Sequence, residues 1–119
     1  MPPASRFRLT TIKLRSEIDR ASRLGRSFAS PLFVLVCLVV PEGAPRVAIK
    51  IPRKVGGAVV RNRIRRQVKD ICRALFPRLG TPCDCIVIAR MASAGASFRQ
   101  KMEEIQSLLA RHGCFDPSR

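Results

Sequence analysis

Ala58-Val59-Val60-Arg61-Asn62-Arg63-Ile64-Arg65-Arg66-Gln67-Val68-Lys69-Asp70-Ile71-Cys72-Arg73-Ala74-Leu75 carries two patterns at once. Val60, Ile64, Val68, Ile71 and Leu75 recur at helical spacing, and at about 100° per residue they form one apolar stripe. Asn62, Arg65, Arg66, Lys69 and Arg73 fall on the opposite side, Arg61 and Arg63 flank the stripe, and Asp70 is the single acid of the stretch. A helix over 58–75 with one face fixed to a core and a cationic face turned outward is the reading. Arg61–Arg65 and Arg65–Lys69 are like-charge i,i+4 pairs, which destabilise an isolated helix. A polyanion on that face relieves the repulsion. Arginine rather than lysine supplies a planar fork for phosphates or base edges, and Asn62 adds a donor and an acceptor suited to a base or a 2′-hydroxyl.

Outward from this helix, Pro52-Arg53-Lys54-Val55-Gly56-Gly57 is a basic lead-in, and Phe76-Pro77 is the stop. Before it, Leu32 to Val40 is a continuous apolar run rich in β-branched residues, expected as a buried strand. Pro41-Glu42-Gly43-Ala44-Pro45 reads as a turn of hairpin length. Arg46 to Ile51 alternates, with Val47, Ile49 and Ile51 on one face and Arg46, Ala48 and Lys50 on a face open to water or a partner. After it, Cys83 to Ala89 reads as a third strand. Thr10 or Thr11 is expected to cap a first helix bearing Leu14, Ile18 and Ala21, with Gly25 as its stop. Ser97 with Gln100 forms a capping-box signal for a last helix burying Phe98, Met102, Ile105, Leu108 and Leu109, closed by Gly113. The expectation is a single α+β domain in the order α-β-β-α-β-α. It spans residues 11–113, between a loosely ordered basic segment 1–10 and a tail 114–119.

The composition agrees with a nucleic-acid partner. In 119 residues there are 23 Lys plus Arg against 8 acids, a net charge of +15. Such an excess opposes folding by self-repulsion and points to a polyanion. No run approaches the roughly 20 apolar residues of a membrane-spanning helix. The stripe of the basic helix is needed for the core, which disfavours a membrane-surface role. The opening Met1-Pro2-Pro3-Ala4-Ser5-Arg6 has no secretory-type apolar stretch behind it, so a cytoplasmic location is expected. Five cysteines, an odd number mostly inside apolar segments, read as small core residues.

Arg53-Lys54-Val55-Gly56-Gly57-Ala58-Val59-Val60-Arg61-Asn62-Arg63-Ile64-Arg65-Arg66 resembles the signature of the bacterial ribonuclease P protein component. Gly25-Arg26-Ser27, Phe33-Val34 and Asp84-Cys85-Ile86-Val87-Ile88-Ala89-Arg90 extend the likeness, in the family's order, over about residues 14–112. The resemblance implies a fold like the second domain of ribosomal protein S5, with a left-handed connection around the basic helix, an exception to the usual crossover rule. It implies a protein that joins a catalytic RNA to remove the 5′ leader of precursor tRNA, the chemistry residing in that RNA and its Mg²⁺. By position it implies RNA-subunit contacts from Arg53, Lys54, Arg61, Asn62, Arg63, Arg65, Arg66 and Lys69. It implies a leader cleft of Ile18, Ser22, Val36, Ala48 and Lys50 between first helix and sheet. No obligate protein partner and no membrane are implied.

The chain departs from the family in that cleft. Aromatic residues are common there in relatives at the positions of Ile18, Ser22 and Val36, and stacking a base on one is worth about 1–3 kcal/mol. This chain has no Tyr or Trp, so either Phe28 or Phe7 substitutes, or charge replaces stacking. Cys83, Cys85, His112 and Cys114 invite a zinc reading, but a C-x-C pair lacks the usual two to four intervening residues. His112 falls where a cation suits a helix C-terminus. No paired acids, nucleophile–base set or phosphate loop is visible, so the protein alone is not expected to catalyse. A ribosomal-type structural RNA-binding protein is the alternative. A helix-turn-helix DNA reader is disfavoured because no such spacing precedes residue 58.

Overall fold

The computed structural model describes residues 8–113. Its elements run β1 (Thr10–Thr11), α1 (Arg15–Leu24), β2 (Arg26–Ala29), β3 (Phe33–Val39), β4 (Arg46–Lys50), α2 (Ala58–Leu75), β5 (Cys83–Ala89) and α3 (Phe98–Arg111). The three expected helices and three expected strands are present, and two short strands are added. The sheet order is β1-β4-β5-β3-β2. α1 covers one face, packing Ala21 and Ile18 on Val36, Ala48 and Ile86. α2 and α3 cover the other, where Ile64, Val68, Ile71, Ile105 and Leu108 meet Leu35, Val47, Cys85 and Val87.

Pro41–Pro45 does not close a hairpin. β5 lies between its two flanking strands, antiparallel to β3 and parallel to β4. The physical reason is burial: six of the seven residues of β5 are buried, and only a central position hides both faces of a strand. Thr10 and Thr11, read as loose chain and helix cap, pair instead with Arg46 and Val47 at the sheet edge. The cap position of α1 falls to Leu14, which makes no side-chain capping bond and is exposed.

Gly25 ends α1 as expected, but not through a left-handed backbone, since its φ is −76°. A Cβ there would stand 2.6 Å from the Ala21 carbonyl oxygen, and 2.9 Å from both the Cys37 carbonyl oxygen and the Val36 side chain. Two of these obstacles are backbone and cannot swing aside, so the missing side chain is what lets α1 approach β3. Gly25→Ala is therefore expected to cost about 1–3 kcal/mol as an overpacking change. A thermal melt checks it, and an unchanged midpoint would mean that the helix end shifts freely.

On α3 the capping box forms as read, Ser97 accepting from the Gln100 N–H and Gln100 accepting from the Ser97 N–H. Ile105, Leu108 and Leu109 are buried and Met102 packs half-buried against the core, as expected. Phe98 is 40% exposed, and Lys101 is buried in its place at 1%. Its aliphatic stem fills apolar space while Nζ donates to the Ala96 carbonyl at 2.7 Å, the usual way a long cation enters a core. Burial, with Arg63 nearby, holds the Lys101 pKa below its ordinary value.

His112 follows the last turn of α3, half-buried, with Nε2 2.9 Å from the Leu35 carbonyl. A carbonyl only accepts, so Nε2 carries the proton. Burial lowers the His112 pKa below its ordinary value of 6.5, which corrects the reading of a dipole-favoured cation. Because the charged form is disfavoured when folded, the unfolded chain takes up the proton first as pH falls. His112 thus contributes stability that is fully present above about pH 6.5 and is lost below it. The unfolding midpoint is expected to fall between about pH 7.5 and about pH 5.5, and to fall less in His112→Gln. Equal slopes for the two proteins would contradict this.

Candidate functional site

Gly57 begins α2 without a side-chain cap, and a 3₁₀ turn at Arg53–Val55 leads into it. Ile64, Val68, Ile71 and Leu75 are buried and Val60 is half-buried at the rim, so the stripe holds the helix as read. The outward face is then fixed. A groove on it is lined by Val59, Asn62, Arg65, Arg66 and Lys69. Val59, 82% exposed, is an apolar knob among these cations that the stripe pattern did not single out.

The arginines divide into two groups. Arg61 Nε donates to the Gly56 carbonyl at 3.1 Å, Arg63 Nη2 to Ala94 at 3.3 Å and Arg65 Nη1 to Ile49 at 3.1 Å. Each is tethered by one donor to a backbone oxygen, which orients the guanidinium and leaves its other N–H groups to a ligand. Such tethering lowers the ordering entropy that binding costs. Asn62, Arg66 and Lys69 make no hydrogen bond or ion pair among the described residues. Asp70, the one acid of α2, is taken by Arg73 at 2.8 Å. Nothing on the helix neutralises the charge around Asn62–Lys69.

A second groove adjoins the first. Thr11, Ile12, Ile18, Ala48, Lys50, Arg65 and Lys69 line it, so Arg65 and Lys69 belong to both. Of the five positions implied for a leader cleft, Ile18, Ala48 and Lys50 come together here. Val36 lies buried under α1, and Ser22 is exposed on α1 but lines neither groove. Arg46, read as facing water or a partner, is engaged within the protein. It donates two bonds to Asp84, at 2.9 and 2.8 Å, and two to Glu17, at 3.2 Å. These bonds hold its pKa above the ordinary value, and they tie α1 to β4 and β5.

Only half of the sheet's α1 face is covered. The register sets Lys50 beside Ile88, Ile88 beside Val34 and Val34 beside Ala29, one row across four strands. Lys50 and Ala29 are exposed, Ile88 and Val34 half-buried. A third groove at this end of the sheet is lined by Pro31, Val34, Pro52, Lys54, Ile88, Ala89, Arg90, Met91 and Ala92. Lys54 therefore faces the sheet row rather than the arginines of α2, while Arg53 is exposed on the 3₁₀ turn. The row is an apolar strip with cations along it.

Phe28 is not part of that strip. It lies opposite Leu35 and packs with the α2–α3 core, its ring 4.7 Å from that of His112. It cannot replace an aromatic in the cleft, because strand alternation points it to the other face. Phe7 and Cys114 lie outside the described residues. Cys37, Cys83 and Cys85 are buried together, with Sγ–Sγ distances of 3.1 Å (Cys37–Cys85) and 3.5 Å (Cys83–Cys85). Burial pushes the Cys72 thiol up to about 12, and mutual contact and burial push Cys85 up as well. Thiols held protonated are poor nucleophiles and poor metal ligands. Among the described residues no group of three or more His, Cys, Asp or Glu could hold a metal ion, and no helix is long and apolar enough to cross a membrane.

Fold and site together define a small basic α+β domain that presents one helix as a cationic face beside an open half-sheet. The sequence profile of the Ribonuclease P family matches residues 8–113. The ribonuclease P protein component of Chloroflexus aurantiacus is 35% identical over 103 residues, covering 86% of this chain and 76% of that protein. That of Clostridium kluyveri is 30% identical over 106 residues, covering 87% and 95%. The solved Staphylococcus aureus RNase P protein superposes with a TM-score of 0.82 at 25% identity, covering 92% of this chain and all of that one. The Thermotoga maritima RNase P protein gives 0.77 at 26% identity, covering 85% and 96%. This chain belongs to the ribonuclease P protein component family.

Proposed function

We propose that this protein binds the catalytic RNA of ribonuclease P through the outward face of α2, and holds the 5′ leader of precursor tRNA on the open half of the sheet. In this way it promotes endonucleolytic removal of the leader. Arg61, Asn62, Arg63, Arg65, Arg66 and Lys69 grip the RNA subunit, with Arg53 beside them. Ile18, Ala48 and Lys50 line the start of the leader track. Lys54 belongs to the track rather than to the helix face. Bond cleavage is the work of the RNA, which holds most of the Mg²⁺ required, and the protein alone is not a nuclease. Its place of action is the cytoplasm.

The observation that supports this reading best is that Arg65 and Lys69 line both grooves. A structured RNA on α2 and a single strand on the sheet would meet at those two side chains, so one protein can align the two. With no aromatic residue on the strip among the described residues, the leader is held there by charge and by contact with apolar side chains, which makes its binding strongly salt-dependent. Reconstitution with a bacterial ribonuclease P RNA at low Mg²⁺ tests the proposal. Faster cleavage of precursor tRNA than by the RNA alone is expected. No gain at any protein concentration would contradict it and favour a structural RNA-binding role of the ribosomal type.

A further inference from the structure

The row Lys50–Ile88–Val34–Ala29 crosses the sheet and ends at its β2 edge. At about 4.8 Å per strand it is about 14 Å long, too short for more than a few nucleotides. Beyond Ala29 the chain turns through Ser30 and Pro31, and two guanidiniums straddle that turn. Arg90 Nη1 donates to the Ser30 carbonyl at 2.9 Å, and Arg111 Nη1 to the Ala29 carbonyl at 3.4 Å. Arg90 belongs to the groove at the end of the row. Arg111 comes from α3 on the other side of the sheet. It lies over the Phe28 ring, 4.5 Å from its centre, and Arg26 lies 5.4 Å from the same centre.

Arg26, Arg90 and Arg111 are exposed, and none is paired with a carboxylate among the described residues. The nearby acid, Glu104, is committed to the turn itself, accepting from Ser30 Oγ and from the Leu32 N–H. It fixes the turn's shape. The result is a continuous cationic rim from the end of the strip, over the turn at 29–31, to the β2 edge. With their Cζ atoms 5.4 and 4.5 Å from the centre of the Phe28 ring, the Arg26 and Arg111 guanidiniums share one aromatic neighbour and still offer N–H groups to phosphate oxygens.

We propose that single-stranded RNA leaving the strip continues over this turn on to Arg111 and Arg26, so that the β2 edge binds the part of the leader farthest from the cleavage site. The inference rests on the reading of the strip as the leader track. Because the catalytic RNA sits at α2, the cleaved end of the leader lies at the Lys50 end and the distal end exits at Ala29. The plainer role, in which Arg26 and Arg111 merely clasp Phe28 and complement the C-terminus of α3, predicts effects on stability alone.

The test uses reconstituted holoenzyme and two precursors, with leaders of roughly 5 and roughly 15 nucleotides, spanning common single-strand site sizes. The wild type is expected to bind the longer leader more tightly. Arg26→Ala with Arg111→Ala should remove that advantage and make the long-leader salt slope shallower by about 1.4, two single-strand phosphate contacts at about 0.7 each. Short-leader binding should not change. Arg26→Gln alone, which keeps Arg111 on the ring, should give about half the slope change, so a folding defect in the double variant does not decide the matter. Equal responses for both leader lengths, or none, would overturn the proposal. Absence of leader-dependent binding in the wild type would instead overturn the reading of the strip.

Discussion

Arg66→Ala combined with Lys69→Ala is expected to weaken binding of the ribonuclease P RNA about 10- to 100-fold at low salt. Neither side chain makes a hydrogen bond or ion pair among the described residues, so their whole donor capacity is available to a ligand. The log–log salt dependence should become shallower by about 1.4–1.8, the release of counterions from two phosphates. Stability should change by no more than about 0.5 kcal/mol, as is usual for surface positions that make no specific bond: Arg66 is exposed and Lys69 half-buried, and removing Lys69 also relieves the Arg65–Lys69 repulsion. Filter binding across a salt series, beside a thermal melt, measures both. A weakened complex with an unchanged salt slope would mean that the pair does not meet phosphate.

Ile64→Ala is expected to do the reverse to the same helix. Ile64 is fully buried between α2 and the sheet. Truncating such a residue costs about 2–5 kcal/mol, through lost burial and the cavity left behind. For a domain of this size that lowers the melting midpoint by about 8–20 °C. RNA binding measured well below that midpoint should keep its salt slope, because every cation of the face remains. The two variants together separate the anchoring side of α2 from the presenting side. A melt that barely moves would show that the helix is held by something other than its stripe.

The helix was legible because two signals with one period overlap in it, and both its ends fell where the sequence placed them. The hairpin reading of Pro41–Pro45 failed for a different reason. Turn composition is local, whereas the choice of β5 as the central strand is made by the whole chain competing for burial. Lys101 and Phe98 exchanged places on α3 because a lysine stem packs like an aliphatic once its Nζ finds the Ala96 carbonyl, a partner no spacing rule reveals. The tethers of Arg61, Arg63 and Arg65 to Gly56, Ala94 and Ile49 were equally invisible, since each depends on a loop or strand end brought alongside α2. The alternation of Val34 and Val36 with Leu35 placed the valines on the α1 face. Which of them stays open depends on where α1 stops, and that is set by Gly25 against β3.

Cross-linking of the reconstituted protein–RNA complex, with the protein contacts located by mass spectrometry, tests the central claim most directly. Contacts to the RNA subunit are expected within Val59–Lys69 and around Arg53, and contacts to the leader around Lys50, Ile88 and Arg90. RNA-subunit contacts confined to α1 or α3, with Val59–Lys69 unmodified, would contradict it.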